Sequence, residues 1–497
     1  MLRALNKMES VTNTIANETD VLIVGAGPVG LFLANECARR GMRWRLIEES
    51  AGQSAHSKAL AIFPRTLEIF DMAGVVAPFL DRANRVTKVA VAAHQLELAE
   101  IRFQPEETPY PYIAMVPQNV TESLLVEELE RKGGRVEYET AFVSAEQHDD
   151  FVTVIAEHKG EAITLRASYV VGCDGAHSRV RKGLQVPLEG GDYRDEFMLA
   201  DLETNEFRPP DELQLCPSES GPVALFPMSA RRWRMVATIE EPEGEAPGLE
   251  LVRRILQKRT SLGIEARELN WSSYFHIHHR HAGRLRVGRM FIAGDAAHLH
   301  SPFGGQGMNT GLHDAWNLVW KLDLVLRGHG NDGLLESYAT ERLPVIRSVI
   351  ETTDFLTKAM GTSSKIAQLV RDAVIPAVSH LSAFQHAFVQ RLSGLGIAYH
   401  GSAIIEGAGE RWFDDAMRGG GIRSCFLLLL GSDAEAATID AAERLSKSFG
   451  DVVELRKGAG HGIQLVRPDG YLAYSADGAN SGRAWDAVRS LLEKQTR

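Results

Sequence analysis

Three segments of this chain carry residue types whose spacing could do chemistry. The first is Val24-Gly25-Ala26-Gly27-Pro28-Val29-Gly30, and the second is Cys173-Asp174-Gly175-Ala176-His177-Ser178-Arg179-Val180-Arg181. The third runs from Gly294-Asp295-Ala296-Ala297-His298 to Pro302-Phe303-Gly304-Gly305-Gln306-Gly307-Met308-Asn309. In Gly25-x-Gly27-x-x-Gly30 the first glycine suits a tight turn and the second lets backbone approach a pyrophosphate. The third lets a helix lie close on its strand, and the helix N-terminus, opened by Pro28, favours the anion. Glu48, followed by Glu49, stands where a strand end offers a carboxylate to a ribose hydroxyl. On this motif alone NAD and FAD are indistinguishable. Asp295 follows an apolar run, so it belongs at a strand's carboxyl end, where open α/β sheets bind ligands. A carboxylate there can hold the hydroxyls of a ribityl chain, which NAD lacks, so the set points to FAD. The glycines from Gly304 to Gly307 lead into a helix whose N-terminal amides could stabilise negative charge on a reduced flavin.

Local patterns predict the elements that position these segments. Thr19 to Val24 reads as a strand, Pro28 to Arg40 as a helix ended by Gly41, and Trp44 to Ile47 as a strand leading into Glu48. That is a strand-helix-strand crossover with glycines where a parallel unit needs them. After Ser57-Lys58 a helix is expected over Pro64 to Met72, stopped by Gly74. Between about Val186 and Leu285 strand-like runs predominate, among them Val223 to Met228, Trp233 to Ile239 and Trp271 to Ile277, which predicts a mostly antiparallel sheet. An apolar strand returns at Arg289 to Ala293. The helix after the third segment carries Leu312, Ala315, Trp316, Val319, Leu322 and Leu326 on one face. Toward the C-terminus, strands at Ser424 to Leu430, Val452 to Leu455, Ile463 to Val466 and Tyr471 to Tyr474 alternate with helices in a thioredoxin-like order, without a redox cysteine pair. The predicted fold class is α/β. A Rossmann-like FAD-binding domain takes 19–185 and 286–395, an inserted antiparallel substrate sheet takes 186–285, and a thioredoxin-like unit takes 396–497. Residues 1–18 form a polar, disordered lead-in.

Composition narrows the partners. A chain of 497 residues exceeds one compact domain, and its net charge of -11 argues against a nucleic-acid partner. Cys37, Cys173, Cys216 and Cys425 are scattered, which suggests neither a zinc site nor a disulfide framework and fits a reducing cytoplasm. The longest apolar run, Phe426 to Leu430, has the length of a strand, so no membrane partner is expected. A homodimer is left open.

At this point the sequence resembles the class A FAD-dependent aromatic hydroxylases, the para-hydroxybenzoate hydroxylase type, over nearly its whole length. The residues that carry the likeness are Gly25-x-Gly27-x-x-Gly30 with Glu48, Asp174-Gly175-x-x-Ser178-x-x-Arg181, and Gly288-Arg289 through Asp295 to Asn309. Arg280-x-Ala282, Glu341-Arg342-x-Pro344 and Arg467-Pro468-Asp469-Gly470 add to it, and the C-terminal unit is similar to that of the phenol and polyketide hydroxylase branch. The resemblance implies FAD contacts at Glu48, Gln118 and Asp295, and a role for Asp174-Gly175 beside both FAD and the NADPH or NADH path. It implies that Pro302, Gly304 and Gly305 border the oxygen-reactive flavin carbon, with Gly307, Met308 and Asn309 following. Relatives often have arginine where Lys58 stands; lysine keeps the charge near the pyrophosphate but loses the fork. Gly409-Glu410-Arg411-Trp412 also departs from the family pattern. The implied reaction is hydroxylation of a phenolic or polycyclic aromatic compound by O2 through a flavin hydroperoxide. Baeyer-Villiger insertion, antibiotic inactivation and a non-catalytic FAD-fold binding protein are the alternatives.

Other features carry blander readings. His276, His278, His279 and His281 suggest a metal, but no cysteine or spaced carboxylate completes a ligand set, so none is expected. His298 is read as packing near the flavin rather than as a base, Trp316 and Trp320 as core, and Cys173 as an inert thiol. Arg232, Tyr193 and His276 are candidates for deprotonating a phenol, with nothing to choose between them. No second Gly-x-Gly-x-x-Gly is present, so NAD(P)H must approach the flavin transiently.

Overall fold

Val21, Leu22, Ile23 and Val24 form a run too apolar for a sheet edge, and in the computed structural model they are a buried central strand. The structure describes residues 18–54, 57–93, 96–301, 304–360, 381–407, 409–421, 424–432, 434–458, 462–476 and 482–496. Strand Glu18–Val24 lies between Trp44–Ile47 and Glu161–Gly172, parallel to both, and Met290–Ile292 pairs in parallel beyond Glu161–Gly172. Arg286–Val287 closes that edge, while Thr140–Gln147 and Val152–His158 extend Glu161–Gly172 as an antiparallel ribbon. Glu18, expected in the lead-in, already pairs with Arg166.

Six helices matter to the site: α1 (Pro28–Arg40), α2 (Pro64–Ala73), α3 (Gln118–Arg131), α4 (Gly307–Leu326), α5 (Asp332–Met360) and α6 (Ser382–Ser393). The sequence predicts one apolar face for α4, yet the structure buries almost its whole circumference, including Asp314, Lys321 and Asp323. A helix buried all round belongs to the interior, and its charges must then be paired. It approaches α1 closely at Gly311, where a Cβ would come within 2.6 Å of Val29 and 2.9 Å of the Gly294 Cα.

The second sheet has eight strands in the order His298–Leu299, Ala266–Ala282, Leu188–Thr204, Arg232–Ile239, Val223–Pro227, Glu212–Cys216, Lys88–Ala93 and Leu96–Arg102. Only Glu212–Cys216 and Lys88–Ala93 pair in parallel. Two strands therefore come from 88–102, well before the inserted segment, and one comes from within the third motif. Helix Leu249–Arg259 covers one face through Val252, Ile255 and Leu256. The other face, with Phe197, Leu213, Phe226 and Val236, packs toward Leu60, Ala61, Phe63 and α6.

A third sheet is ordered Val453–Lys457, Phe426–Leu430, Ile463–Val466, Leu472–Ala476. The first pair is parallel and the other two antiparallel, so the third strand in sequence runs against the rest. Phe426–Leu430 is fully buried beneath helices Ala436–Phe449 and Gly482–Thr496.

Candidate cofactor and active site

The three motifs and Glu48 meet because four parallel strands end level. Val24 pairs with both Ile47 and Gly172, and Gly172 pairs with Ile292. The residues that follow, Gly25, Glu48, Cys173-Asp174 and Ala293-Gly294-Asp295, thus form one row along the carboxyl edge. Backbone bonds hold the row together: Gly25 N–H donates to the Ile47 carbonyl (2.8 Å), Cys173 N–H to Val24 (2.7 Å) and Ala293 N–H to Gly172 (3.0 Å).

Each glycine of the first motif has a different neighbour. Gly25 sits at φ +100°, where a Cβ would lie 2.5 Å from the Cys173 carbonyl oxygen. At Gly30 a Cβ would fall 1.9 Å from the Gly25 carbonyl oxygen, so only glycine lets α1 lie this close. Around Gly27 nothing lies within 4 Å of that position, which leaves open space over the α1 N-terminus. Pro28 opens α1, where its missing N–H costs nothing.

The carboxylates divide between holding the frame and facing open space. Glu48 accepts from Ala26 N–H (2.7 Å) and Ser50 N–H (2.9 Å), one bond per oxygen, which leaves each oxygen further acceptor capacity. Glu49 is exposed and pairs with Arg179 at 3.1 Å. Asp174 accepts from Ser178 Oγ and from the Arg179 and Val180 amides, so it caps the helix Arg179–Gly183, while Gly175 at φ +72° borders open space. Arg181 joins the second motif to the third by donating to the carbonyls of Ala176 and Ala296, each at 3.1 Å. Asp295 differs from these. Solvent reaches its side chain and no hydrogen bond engages it among the described residues. Surrounding protein nevertheless raises its carboxyl pKa by desolvation, against the lowering influence of His298 and Lys58. Accessible yet crowded by protein, it stands apart from the other carboxylates of the row.

Past Asp295 the chain pairs as His298–Leu299 with the large sheet, then enters the loop before α4. Pro302 lies outside the described residues. Gly304 abuts Thr353 of α5, and Gly305, at φ +61°, faces Ala61 and Phe63. Gly307 is the first residue of α4, and Met308 is buried behind it. Asn309 fixes this corner: it donates to the Ala61 and Gly305 carbonyls and accepts from Phe63 N–H and Thr66 Oγ1.

The segment bearing Lys58 is clamped from two sides. Gln118, at the start of α3, donates its N–H to Ser57 Oγ (2.7 Å) and Ala59 O (3.0 Å), and its side-chain oxygen accepts from Ala59 N–H. From the large sheet, Arg234 donates to the carbonyls of Lys58 (3.0 Å) and Ala59 (3.1 Å) while forming a bidentate pair with Asp201. The Lys58 side chain is exposed and lies close enough to act on Asp295.

The buried pair Asp201–Arg234 went unselected at the sequence level, although one charge in each of two apolar strands is its signal. Asp314 was also missed. It accepts from Gly294 N–H (3.1 Å), His298 (2.7 Å) and Arg342 Nε (2.7 Å). Burial opposes its ionisation, but the Arg342 and His298 charges outweigh that and lower its pKa. His300 likewise escaped notice despite alternating with His298. Its Nδ1 bonds to Ser301 O, its Nε2 is buried beside Gly307 without a partner among the described residues, and burial with neighbouring His298 pushes its pKa down to about 4.

Two of the three candidate bases, His276 and Arg232, are exposed. His276 pairs with Glu196 at 2.9 Å; since adjacent Phe275 faces the apolar layer, His276 points away from it. Arg232 is exposed at a strand end. The side chains of Tyr193 and His278 lie outside the described residues. Among the described residues no His, Cys, Asp or Glu group could hold a metal ion, and no helix is long and apolar enough to cross a membrane. Cys173 is partly accessible, but burial and adjacent Asp174 raise its thiol pKa well above the usual range.

These residues fit FAD. Open space over Gly27 admits a pyrophosphate, and Asp295 offers an uncommitted carboxylate further along the same edge. The α4 N-terminus then presents amide donors. Comparison with known proteins agrees. The FAD binding domain family matches residues 18–353. The chain is 32% identical to 6-methylpretetramide 4-monooxygenase of Streptomyces rimosus, covering 94% of this chain and 92% of that protein. It is 31% identical to rifampicin monooxygenase of Streptomyces venezuelae, over 92% of this chain and 96% of that one. Among solved structures, the anhydrotetracycline hydroxylase OxyS from Streptomyces rimosus superposes with a TM-score of 0.79 at 27% identity, covering 96% of this chain and 99% of the other. With its motifs brought together on one sheet edge and matched along nearly the full length, this chain belongs to the class A FAD-dependent aromatic monooxygenases.

Proposed function

We propose that this enzyme hydroxylates a phenolic or polycyclic aromatic compound, with NADPH or NADH as transient reductant and O2 as co-substrate. Bound FAD supplies the redox chemistry and oxygen activation, which side chains cannot provide. The carrying observation is the level row of strand ends, which sets Gly27, Glu48, Asp174 and Asp295 along one edge. Asp295 would accept from ribityl hydroxyls. Gly27 and the α1 N-terminus would receive the pyrophosphate, and the first amides of α4 would favour negative charge at the flavin's pyrimidine end. Lys58 adds a positive charge held by the Gln118 and Arg234 clamps.

The apolar layer of Phe63, Phe197, Phe226 and Trp271, roofed by Val389 and Leu392 of α6, supports an aromatic substrate. Gln306 Nε2 donates to the Leu392 carbonyl at 2.7 Å, which ties that roof to the loop before α4 and helps exclude water. The named relatives are monooxygenases of 6-methylpretetramide and rifampicin, and the named structure is a hydroxylase of anhydrotetracycline, which supports a ring-containing substrate. In this reading 19–185 with 286–395 carries the cofactor, 186–285 with the strands of 88–102 covers the substrate, and 396–497 docks against α4 and α5. The test is to purify the protein, record its flavin spectrum, and follow NADPH and NADH oxidation with a panel of phenols and fused-ring phenols. One added oxygen atom in the product of a stimulating compound is expected. A colourless protein that takes up no FAD would sink the reading.

A further inference from the structure

We propose that the C-terminal unit completes the FAD cradle, so that cofactor binding and docking of that unit are energetically coupled. Arg342 and Asp314 act as the positioning residues between them. The inference rests on the reading of Gly294-Asp295 as part of the cradle and adds residues that do not touch the cofactor.

The coupling runs through Glu341 and Arg342, adjacent residues of α5 that each bridge α4 and the C-terminal unit. Arg342 bonds to Asp314 and to the Thr310 carbonyl, and Asp314 in turn holds the Gly294 amide, one residue before Asp295, together with His298. Glu341 faces the C-terminal unit. Its oxygens accept from Arg467 Nη1 (2.6 Å) and Nη2 (2.9 Å), Ser402 Oγ (2.6 Å), Lys321 (2.8 Å) and Asn317 (2.8 Å). Arg467 also pairs with Asp469, whose carbonyl accepts from Arg65 of α2 and Trp316 of α4. The side chains of Glu341, Arg342, Lys321, Arg467 and Asp469 are all fully buried in their ion pairs.

A second path bypasses Glu341. The Arg467 guanidinium stacks on the Tyr399 ring at 5.1 Å, and the Tyr399 hydroxyl accepts from Arg342 Nη1 at 3.4 Å. The order of contact is therefore Arg467, Tyr399, Arg342, Asp314, Gly294. Every charge in this series is out of water. Displacing one leaves a neighbour unpaired in low dielectric, so the set favours the complete arrangement over partial ones. Releasing the turn Arg467-Pro468-Asp469-Gly470 would free Glu341 and Tyr399, loosen Arg342, and let the Gly294-Asp295 corner move. Linkage requires the converse: FAD binding must tighten the turn.

Two measurements test this. In the wild-type protein, FAD added to apoprotein should slow amide hydrogen exchange across 463–476; equal exchange with and without FAD overturns the coupling. Tyr399→Phe, which removes one hydroxyl and keeps the ring, should weaken FAD binding about threefold to tenfold, and Arg467→Met more than tenfold, read by flavin fluorescence quenching. The increment in Tm caused by FAD should shrink in both. If Tm falls equally with and without FAD while affinity stays at the wild-type value, the residues are merely structural and the proposal fails. Asp295→Ala separates this from the underlying reading. Unchanged FAD affinity in Asp295→Ala refutes the cradle assignment, whereas a loss there with none in Tyr399→Phe and Arg467→Met refutes the coupling alone.

Discussion

Gly27→Ala and Gly30→Ala should separate the two tasks of the first glycine motif. At Gly27 the backbone lies at φ -72° and ψ -178°, which alanine adopts freely, and nothing stands within 4 Å of the added methyl group. Reduced freedom in the unfolded chain should stabilise the variant, while alanine is the poorer helix N-cap. The net change in apoprotein stability is expected within about 0.5 kcal/mol. The methyl group would nevertheless stand where a pyrophosphate must approach the α1 N-terminus. Losing one charge-assisted hydrogen bond there costs about 1.5–3 kcal/mol, a roughly tenfold to hundredfold weaker FAD affinity. Gly30→Ala forces a Cβ to within 1.9 Å of a backbone carbonyl, so α1 must shift; its cost falls on the apoprotein, at about 3 kcal/mol or more. Urea unfolding of the apoproteins and FAD titration by fluorescence quenching give both numbers. A Gly27→Ala protein with wild-type FAD affinity, or with an apoprotein as weakened as Gly30→Ala, would refute the reasoning.

Asp295→Ala removes an accessible acceptor with no hydrogen-bond partner among the described residues, so FAD affinity should fall about tenfold or more while apoprotein stability holds; unchanged occupancy of the purified protein would count against the ribityl role. Arg234→Met leaves Asp201 buried and unpaired, a loss of about 3–5 kcal/mol in unfolding experiments. Adding Asp201→Leu should restore most of that stability but not FAD affinity, because Lys58 and Ala59 lose their guanidinium donor either way; recovered affinity would dismiss the clamp. His300 has its pKa lowered from 6.5 to about 4, so the unfolded chain binds more protons between those values. Stability should therefore be full above that window and decline as pH falls through it. His300→Gln should flatten the decline, and an identical slope in both proteins would remove His300 as its source.

What the chain alone revealed is local in character. Pro28–Arg40 begins at a proline and ends at a left-handed glycine, and Trp44–Ile47 is bounded by polar residues, so both elements were legible to the residue. The glycine motif, Glu48 and Asp295 could be chosen because a strand end followed by a turn is written in adjacent positions. Pairing across the chain is written nowhere in one place. That Val24, Ile47, Gly172 and Ile292 end level follows from parallel register, which is set by packing of whole strands on helices. The weakly patterned Lys88–Ala93 joins the large sheet only because Glu212–Cys216 offers it an edge. Asp314 looks like an ordinary surface charge in a linear reading, and for Asp201, Arg234, Arg342 and Arg467 no stretch of sequence names the partner. Burial turns each into an obligate pair, and the partner is chosen by proximity in space, between residues from 28 to 126 positions apart in Arg342–Asp314 and Arg467–Glu341.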